Sequence, residues 1–297
     1  MPLSARLLHA LLWLLGRLPL GILQALGSGF GALARWMNLR EARVARRSLE
    51  LCFPKMDEAE RKALWRRNLA ETGKTLFETT RLWTRPASNN LSFIHAVHGR
   101  EHFDVALAAG RGVIIAAPHL GNWELLNQWL AAQSPLAILY RAPRQPALDA
   151  LIRRFRAQPG VTQVRAEAAG VRTLLKLLKE GGMLGILPDQ QPKRGDGEFA
   201  PFFGIPALTM TLLPRLAERT GATVLCAYVE RIAAPGRGFE VHIEPAPAAV
   251  GDPDPNIATA ALNTALEHCI RAEPAQYQWS YKRFTIRPEG EPPITYE

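Results

Sequence analysis

Short apolar runs alternate with segments of helical periodicity along most of the chain, and this alternation constrains the fold more than any other feature. Mostly apolar runs, typical of strands covered on both faces, occur at 113–117, 136–140 and 183–187. Helical patterns follow at 123–132, 147–156 and 171–180. The alternation predicts an α/β fold in which helices flank a layered mixed sheet. With 47% hydrophobic residues in 297, the chain can build a full core.

The remaining predicted elements surround this alternating region. Periodicity predicts one or two amphipathic helices over 56–83, a helix with an internal proline over 208–220 and a final helix over 256–271. Segments 223–230 and 239–244 are predicted to be strands that pair with each other.

The N-terminal segment is apolar enough to enter a membrane. Residues 7–26 reach the length of a spanning helix with one charge, Arg17. A basic flank follows, which favours a cytoplasmic main body; it contains Arg35, Arg40, Arg43, Arg46 and Arg47. We therefore expect a membrane helix within 1–38 and a catalytic domain over 39–297. A spanning or deeply inserted anchor is the favoured interpretation; an interfacial helix, a cleaved signal peptide and a buried helix are the alternatives.

Charge and cysteine usage narrow the partners. The formal net charge of +9 favours anionic partners such as membrane lipids, acidic proteins or nucleic acid. Nucleic-acid motifs do not occur in the sequence, so we expect no nucleic-acid partner. The three cysteines form no CxxC pair and suit buried thiols of a reducing compartment. His98, His102, His242 and His268 lack ligand-like spacing, so we expect structural roles for them, no metal and no cofactor.

The segment most suggestive of chemistry is 117–124, where the first apolar strand ends and a helix begins. His119 and Glu124 would lie about 140° apart on a continuous helix, but Pro118 and Gly121 allow a turn and Asn122 can cap the next helix. Glu124 could then orient the imidazole of His119 as a general base. Because no G-x-S-x-G serine or nearby cysteine offers a nucleophile, direct acyl transfer to a substrate hydroxyl or amine fits this arrangement. A purely structural histidine and helix-start glutamate are the alternative.

The motif H-L-G-N-W-E at 119–124 resembles the H-x-x-x-x-(D/E) motif of the lipid A biosynthesis acyltransferases, the late lauroyl/myristoyl acyltransferases of Gram-negative bacteria within the lysophospholipid acyltransferase superfamily. The similarity continues, in chain order, with R-R-S-L-E-L-C-F-P at 46–54, Y-R at 140–141, D-Q at 189–190, F-A-P-F-F-G-I-P-A at 199–207 and Q-Y-Q-W with R-F and R-P at 276–288. One departure is Ala142, where the family commonly has proline directly after the Y-R pair.

The resemblance implies a glycerolipid-acyltransferase-like fold and transfer of a fatty acyl group from acyl-carrier protein to a hydroxyl of an acylated lipid A precursor at the bacterial inner membrane. It implies His119 as base and Glu124 as its orienting acid. Residues expected to contact substrate are Asn122, Arg141, Arg156, Asp189 and Gln190. For Asp189 a structural pairing with an arginine is an equal alternative. A glycolipid or aminolipid acceptor, or a non-catalytic binding protein, are the competing interpretations of function.

Overall fold

The computed structural model describes residues 3–296 except 141, 143, 144 and 235; the side chains of 3–8, 146–148 and 168 are not described. The helices in this part of the chain are α1 Leu3–Leu15, α2 Leu20–Trp36, α3 Arg40–Cys52, α4 Glu58–Thr84, α5 Ala87–Leu91, α6 Arg100–Ala108, α7 Trp123–Gln133, α8 Pro146–Arg156, α9 Ala168–Lys179, α10 Leu212–Thr220 and α11 Pro255–Ala272. The strands are β1 Ile94–His98, β2 Val113–Ala116, β3 Leu136–Tyr140, β4 Val161–Arg165, β5 Met183–Ile186, β6 Gly197–Phe202, β7 Ile205–Met210, β8 Thr223–Arg231 and β9 Phe239–Pro245.

A seven-stranded mixed sheet in the order β1-β9-β8-β2-β5-β3-β4 forms the centre of the described structure. Strands β8, β2, β5, β3 and β4 run parallel, whereas β9 is antiparallel to β8 and β1 is parallel to β9. The predicted mixed sheet and the predicted pairing of the two late strands are confirmed. The carboxyl ends of the parallel strands share one edge, where open α/β sheets bind their ligands.

Helices cover both faces of the sheet, which explains why its central strands are apolar throughout. In β2, Ile114 and Ala116 belong to the core shared with α9, α10 and α11. Their neighbours Val113 and Ile115 pack on the opposite side with α6 and α7. Alternate side chains of a strand point to opposite faces, so both sets must be apolar.

The predicted helix over 208–220 is corrected at its start. Residues 208–210 belong to β7, which forms an antiparallel hairpin with β6, and the helix α10 begins only at Leu212. Phe203 and Gly204 form the two-residue turn with φ of 51° and 78°. Positive φ at both positions is what tight hairpins require, and the β-pairing of the flanking segments prevails over helical periodicity.

The N-terminal helices pack on α4 through glycines. A Cβ on Gly73 would lie 2.0 Å from the carbonyl oxygen of Gly27, and a Cβ on Gly31 would lie 2.1 Å from the carbonyl oxygen of Leu69. Glycine therefore permits the close approach of α2 and α4. The predicted division at residue 38 stays a prediction.

Two helices replace the continuous predicted membrane helix. Within the described residues, no single helix is long and apolar enough to cross a bilayer; the α1 segment from His9 and α2 reach that length and composition only together, across a 117° bend. The bend lies at 16–19, around Arg17 and Pro19, and proline cannot continue a helix that precedes it.

Candidate active site

The loop that follows β2 is held in a sharp turn by its backbone. Gly121 has a φ of 60°, and a Cβ there would lie 1.8 Å from the carbonyl oxygen of Val229, so only glycine fits. Asn122 then caps α7 by accepting a hydrogen bond from the backbone N–H of Leu125 at 3.2 Å. The turn places His119 at the carboxyl edge of the sheet, before the first turn of α7.

His119 is bound by the carboxylate of Asp189, which follows the neighbouring strand β5. The His119 backbone N–H donates to Asp189 Oδ2 at 2.9 Å, and ring Nδ1 lies 2.7 Å from Oδ1. Asp189 is only 1% exposed. Burial opposes its ionisation, but the charge and hydrogen bonds of His119, together with a hydrogen bond from Tyr277, outweigh burial and hold the pKa of Asp189 below its usual range. Asp189 is therefore an ionised acceptor.

This contact determines which nitrogen of His119 is free to accept a proton. Because an ionised carboxylate can only accept hydrogen bonds, Nδ1 carries the proton and Nε2 presents its lone pair. The amide nitrogen of Gln190 lies 3.3 Å from Nε2 and also 3.3 Å from Oε1 of Gln278. The imidazole is 16% exposed, so part of the ring reaches solvent.

Glu124 does not orient His119, contrary to the sequence-based expectation. Its carboxylate receives hydrogen bonds from Nε of Arg156 at 3.0 and 3.2 Å, and Nη2 of Arg156 also donates to it. The reason is the direction of α7: Glu124 lies in its first turn, buried against α8, where Arg156 is the last residue. Glu124 thus fixes the guanidinium of Arg156, whereas Asp189 holds the imidazole of His119.

The other predicted contact residues differ in position. Asp189 and Gln190 both contact His119, and their contact with substrate stays a prediction. Asp189 pairs with His119 rather than with an arginine. Asn122 is fully buried, so the expectation that it contacts substrate is corrected. Arg141 lies outside the described residues.

Asn122 belongs to a buried polar network behind the site. Its amide donates to Glu78 Oε2 at 2.9 Å, and Arg231 donates to both oxygens of Glu78 at 2.5 and 2.6 Å and to Glu71 at 2.5 Å. Burial would lower the pKa of Arg231, but the two carboxylates outweigh it and raise that pKa. This fully paired charge cluster ties α4 and β8 to the site loop.

The sequence analysis did not identify the pairing of His119 with Asp189. The available signal was that both residues follow apolar strands, since parallel neighbours bring their carboxyl ends to the same edge. What was missing was the adjacency of β2 and β5.

Covalent catalysis by a cysteine is disfavoured by the state of the thiols. Cys52, Cys226 and Cys269 are all buried. Burial raises the pKa of the Cys52 thiol, and the hydrogen bond with Cys226 together with burial raises that of Cys269. A thiol is nucleophilic only as the thiolate.

Taken together, the fold and the site define an α/β protein with an Asp–His acid–base pair at the edge of its sheet.

The chain belongs to the bacterial lipid A biosynthesis acyltransferase family, whose model matches residues 4–285. It is similar to the lipid A biosynthesis lauroyltransferase of Escherichia coli K12, with 29% identity over 95% of this chain and 91% of that protein. It is also similar to the lipid A biosynthesis palmitoleoyltransferase of the same organism, with 31% identity over 94% and 90%. A phosphatidylinositol mannoside acyltransferase of Mycobacterium tuberculosis H37Rv is 30% identical over 49% of this chain and 47% of that protein. The family resemblance found in the sequence is confirmed, and the chain is an acyltransferase of lipid A biosynthesis.

Proposed function

We propose that this protein transfers a fatty acyl group from acyl-carrier protein to a hydroxyl of an acylated lipid A precursor, without a covalent acyl-enzyme. The observation that carries the proposal is the His119 imidazole, held at Nδ1 by Asp189 while Nε2 makes only a long contact with the amide of Gln190. Nε2 takes the proton of the substrate hydroxyl while its oxygen attacks the thioester carbonyl. The carbon–sulfur bond then breaks, and the proton passes from the imidazole to the departing thiol.

Arg156 has the role of stabilising negative charge in this reaction. Glu124 binds its Nε and Nη2, which fixes the plane of the guanidinium. Where the thioester carbonyl binds next to this guanidinium, the fixed charge stabilises the oxyanion of the tetrahedral intermediate; where a phosphate of the acceptor binds there instead, it stabilises that phosphate. Glu124 thereby acts as a positioning residue for the arginine.

A narrow cleft lies next to this ion pair. Its apolar lining includes Trp83, Ile138 and Phe155, and the volume that a water molecule can enter is only about 10 Å³, so an acyl chain can enter only after these side chains move apart. The ring of Phe155 stacks on Trp83 at 5.1 Å and on His9 of α1 at 5.6 Å. The N-terminal helix thus contacts the wall of the cleft.

We propose that α1 and α2 lie in the cytoplasmic face of the inner membrane. Helix α2 is apolar on all sides, yet α4 covers only one side. The opposite side is 42–47% exposed at Ile22, Leu26, Phe30 and Leu33. A helix that is apolar all round belongs in a protein core or in lipid, and the 117° bend favours insertion from one side. The net charge of +9 adds attraction to an anionic leaflet, to lipid phosphates and to an acidic carrier protein.

Membrane docking is tested by flotation with vesicles that contain anionic lipid. The Leu26→Glu/Phe30→Glu variant should lose most of its vesicle binding, because both charges would enter the acyl region. Val105→Glu/Ile257→Glu, which adds two charges at exposed apolar positions of α6 and α11, is the control for added charge. Equal flotation of the Leu26→Glu/Phe30→Glu variant and the wild type would contradict the proposed face.

The reaction is tested with purified full-length protein, a tetra-acylated lipid A precursor and a panel of acyl-carrier proteins, with products identified by mass spectrometry. One added ester-linked acyl chain is the expected result. The partial similarity to a phosphatidylinositol mannoside acyltransferase makes a mannosylated phosphoinositide the matched alternative acceptor. Acylation of that lipid alone would replace the proposed acceptor while leaving the acyltransferase assignment intact.

A further inference from the structure

A second histidine group lies at the other end of the sheet, on the strands that run against the parallel set. His98 ends β1, and Glu240 and His242 are alternate residues of β9. His98 and His242 are direct partners in the β1–β9 ladder. Because alternate residues of a strand share a face, the register brings all three side chains to one face of the sheet.

The three side chains approach each other closely enough to share one ion. Their potential ligand atoms all lie within 4.8 Å of one another. His98 Nε2 is 2.8 Å from Glu240 Oε2, and the two imidazole rings are stacked 4.6 Å apart. Ligands of a tetrahedral zinc ion lie about 2.0–2.2 Å from the metal and so about 3.3 Å from one another. Small rotations of these partly exposed side chains are sufficient to reach that spacing.

The Nε2 atom of His242 faces a neighbouring carboxylate. It is buried and makes no hydrogen bond, although Glu230 Oε2 lies 3.0 Å away, because the two groups are not aligned for one. A small rotation lets Glu230 accept a hydrogen bond from Nε2, which leaves Nδ1 of His242 to bind an ion.

We propose that His98, Glu240 and His242 bind a divalent transition-metal ion of the zinc class. Two imidazoles and one carboxylate are ligands that zinc favours, and a three-ligand set leaves a fourth position for water. The side chains are 52%, 35% and 22% exposed, respectively, so an ion can enter from solvent. Glu230 lies where it can orient the His242 ring by accepting from the nitrogen that does not bind the metal. The ion would tie the short edge strand β1 to β9.

The proposal is tested by titrating Zn²⁺ into the full-length, tag-free protein after dialysis against a chelator, with calorimetry as the readout. One equivalent should bind, and the thermal midpoint should rise by about 5 °C at a hundredfold excess over Kd. His98→Ala, His242→Ala and Glu240→Gln should each weaken binding at least tenfold. Binding should also release protons and weaken on acidification, because a ligand nitrogen must give up its proton to the metal.

The chain offers a matched control in another His–Glu pair. His268 lies 3.2 Å from Glu244 and is 70% exposed, so His268→Ala removes a similar surface pair and should leave zinc affinity unchanged. Glu240→Gln preserves side-chain size, which keeps the test valid if an alanine variant fails to fold. Retained stoichiometric binding in Glu240→Gln and His242→Ala, loss of binding in His119→Ala instead, or no binding by the wild type at 100-fold excess over a micromolar Kd would each overturn the proposal.

Discussion

The two halves of the central sheet use histidine in opposite ways. In the parallel half, His119 is largely buried and bound at Nδ1 by a single, almost inaccessible carboxylate. In the half formed by β9 and β1, His98 and His242 lie on a partly exposed face beside the carboxylates of Glu240 and Glu230. Histidine thus occurs in the first half with a fixed tautomer and one nitrogen that no carboxylate binds. In the second half it is part of a solvent-accessible cluster of side chains that can ligate a cation.

The difference follows from strand direction. Parallel neighbours bring loop residues together at their carboxyl ends, under helices that exclude water. The reversed pairing of β9 with β8 brings mid-strand residues together on a face that α11 leaves partly open. A fixed tautomer suits proton transfer, whereas ligand atoms that converge on one point suit cation binding. The predictions below test this contrast, from the largest expected effect to the smallest.

Replacing His119 should have the largest effect. His119→Ala removes the proposed base, so kcat should fall about 10³-fold or more with little change in the thermal midpoint. His268→Ala, which removes an exposed histidine of the other half, should retain activity within a factor of two. Comparable losses in the two variants would show that activity does not depend on the position of the imidazole.

The half-buried Arg156 should matter more than an exposed arginine. Arg156→Lys keeps the charge but loses the two-nitrogen contact with Glu124, so kcat should fall about 10–100-fold. Arg100→Lys alters the exposed Arg100–Asp104 pair of α6 and should leave kcat unchanged. Steady-state kinetics measures kcat for both variants. An Arg156→Lys enzyme with wild-type kcat would contradict the proposed role of Arg156 in stabilising the oxyanion.

Asp189 and Glu240, each in contact with a histidine of one half of the sheet, should differ in how much they stabilise the protein and in how that contribution depends on pH. At pH 7, Asp189→Asn should lower the free energy of unfolding by about 1–3 kcal/mol, because the group is buried, whereas Glu240→Gln at a partly exposed pair should cost less than about 1 kcal/mol. The pKa of Asp189 is lower in the folded chain than the ordinary value of about 3.9. Its contribution is therefore complete above that value and is lost as pH falls through the folded pKa.

Urea unfolding between pH 7 and pH 3 checks the direction of this pH dependence. The stability difference between wild type and Asp189→Asn should shrink as the pH falls below about 4, where the unfolded carboxyl takes up its proton before the folded one. A difference that grows between pH 4 and pH 3 would contradict a lowered pKa of Asp189.

Much of the fold was predictable because periodicity reports burial directly. The apolar runs predicted the strands β2, β3 and β5, and the alternation of these runs with helical patterns predicted the layered α/β class. The strands β1, β4, β6 and β7 were not predicted, since they are short and their burial is mixed. A segment of that kind carries no clear period, and pairing partners distant in sequence determine its conformation.

The site shows the same limit at the level of single residues. The motif identified His119 and the region around it, but its five-residue spacing suggested Glu124 as the partner. The actual partner is 70 positions away. The spacing of 98, 240 and 242 likewise gave no sign of a cluster, because the register of β1 on β9 alone brings those residues together.

The sequence by itself determined the α/β class, the apolar N-terminal segment, the family and the histidine at the end of the first buried strand, because these depend on local pattern and composition. Only the tertiary structure decided which carboxylate holds that histidine, where the N-terminal helices bend and which histidines meet across the sheet. Strand order and register are long-range choices, fixed by the packing of the whole core, and no local segment encodes them alone.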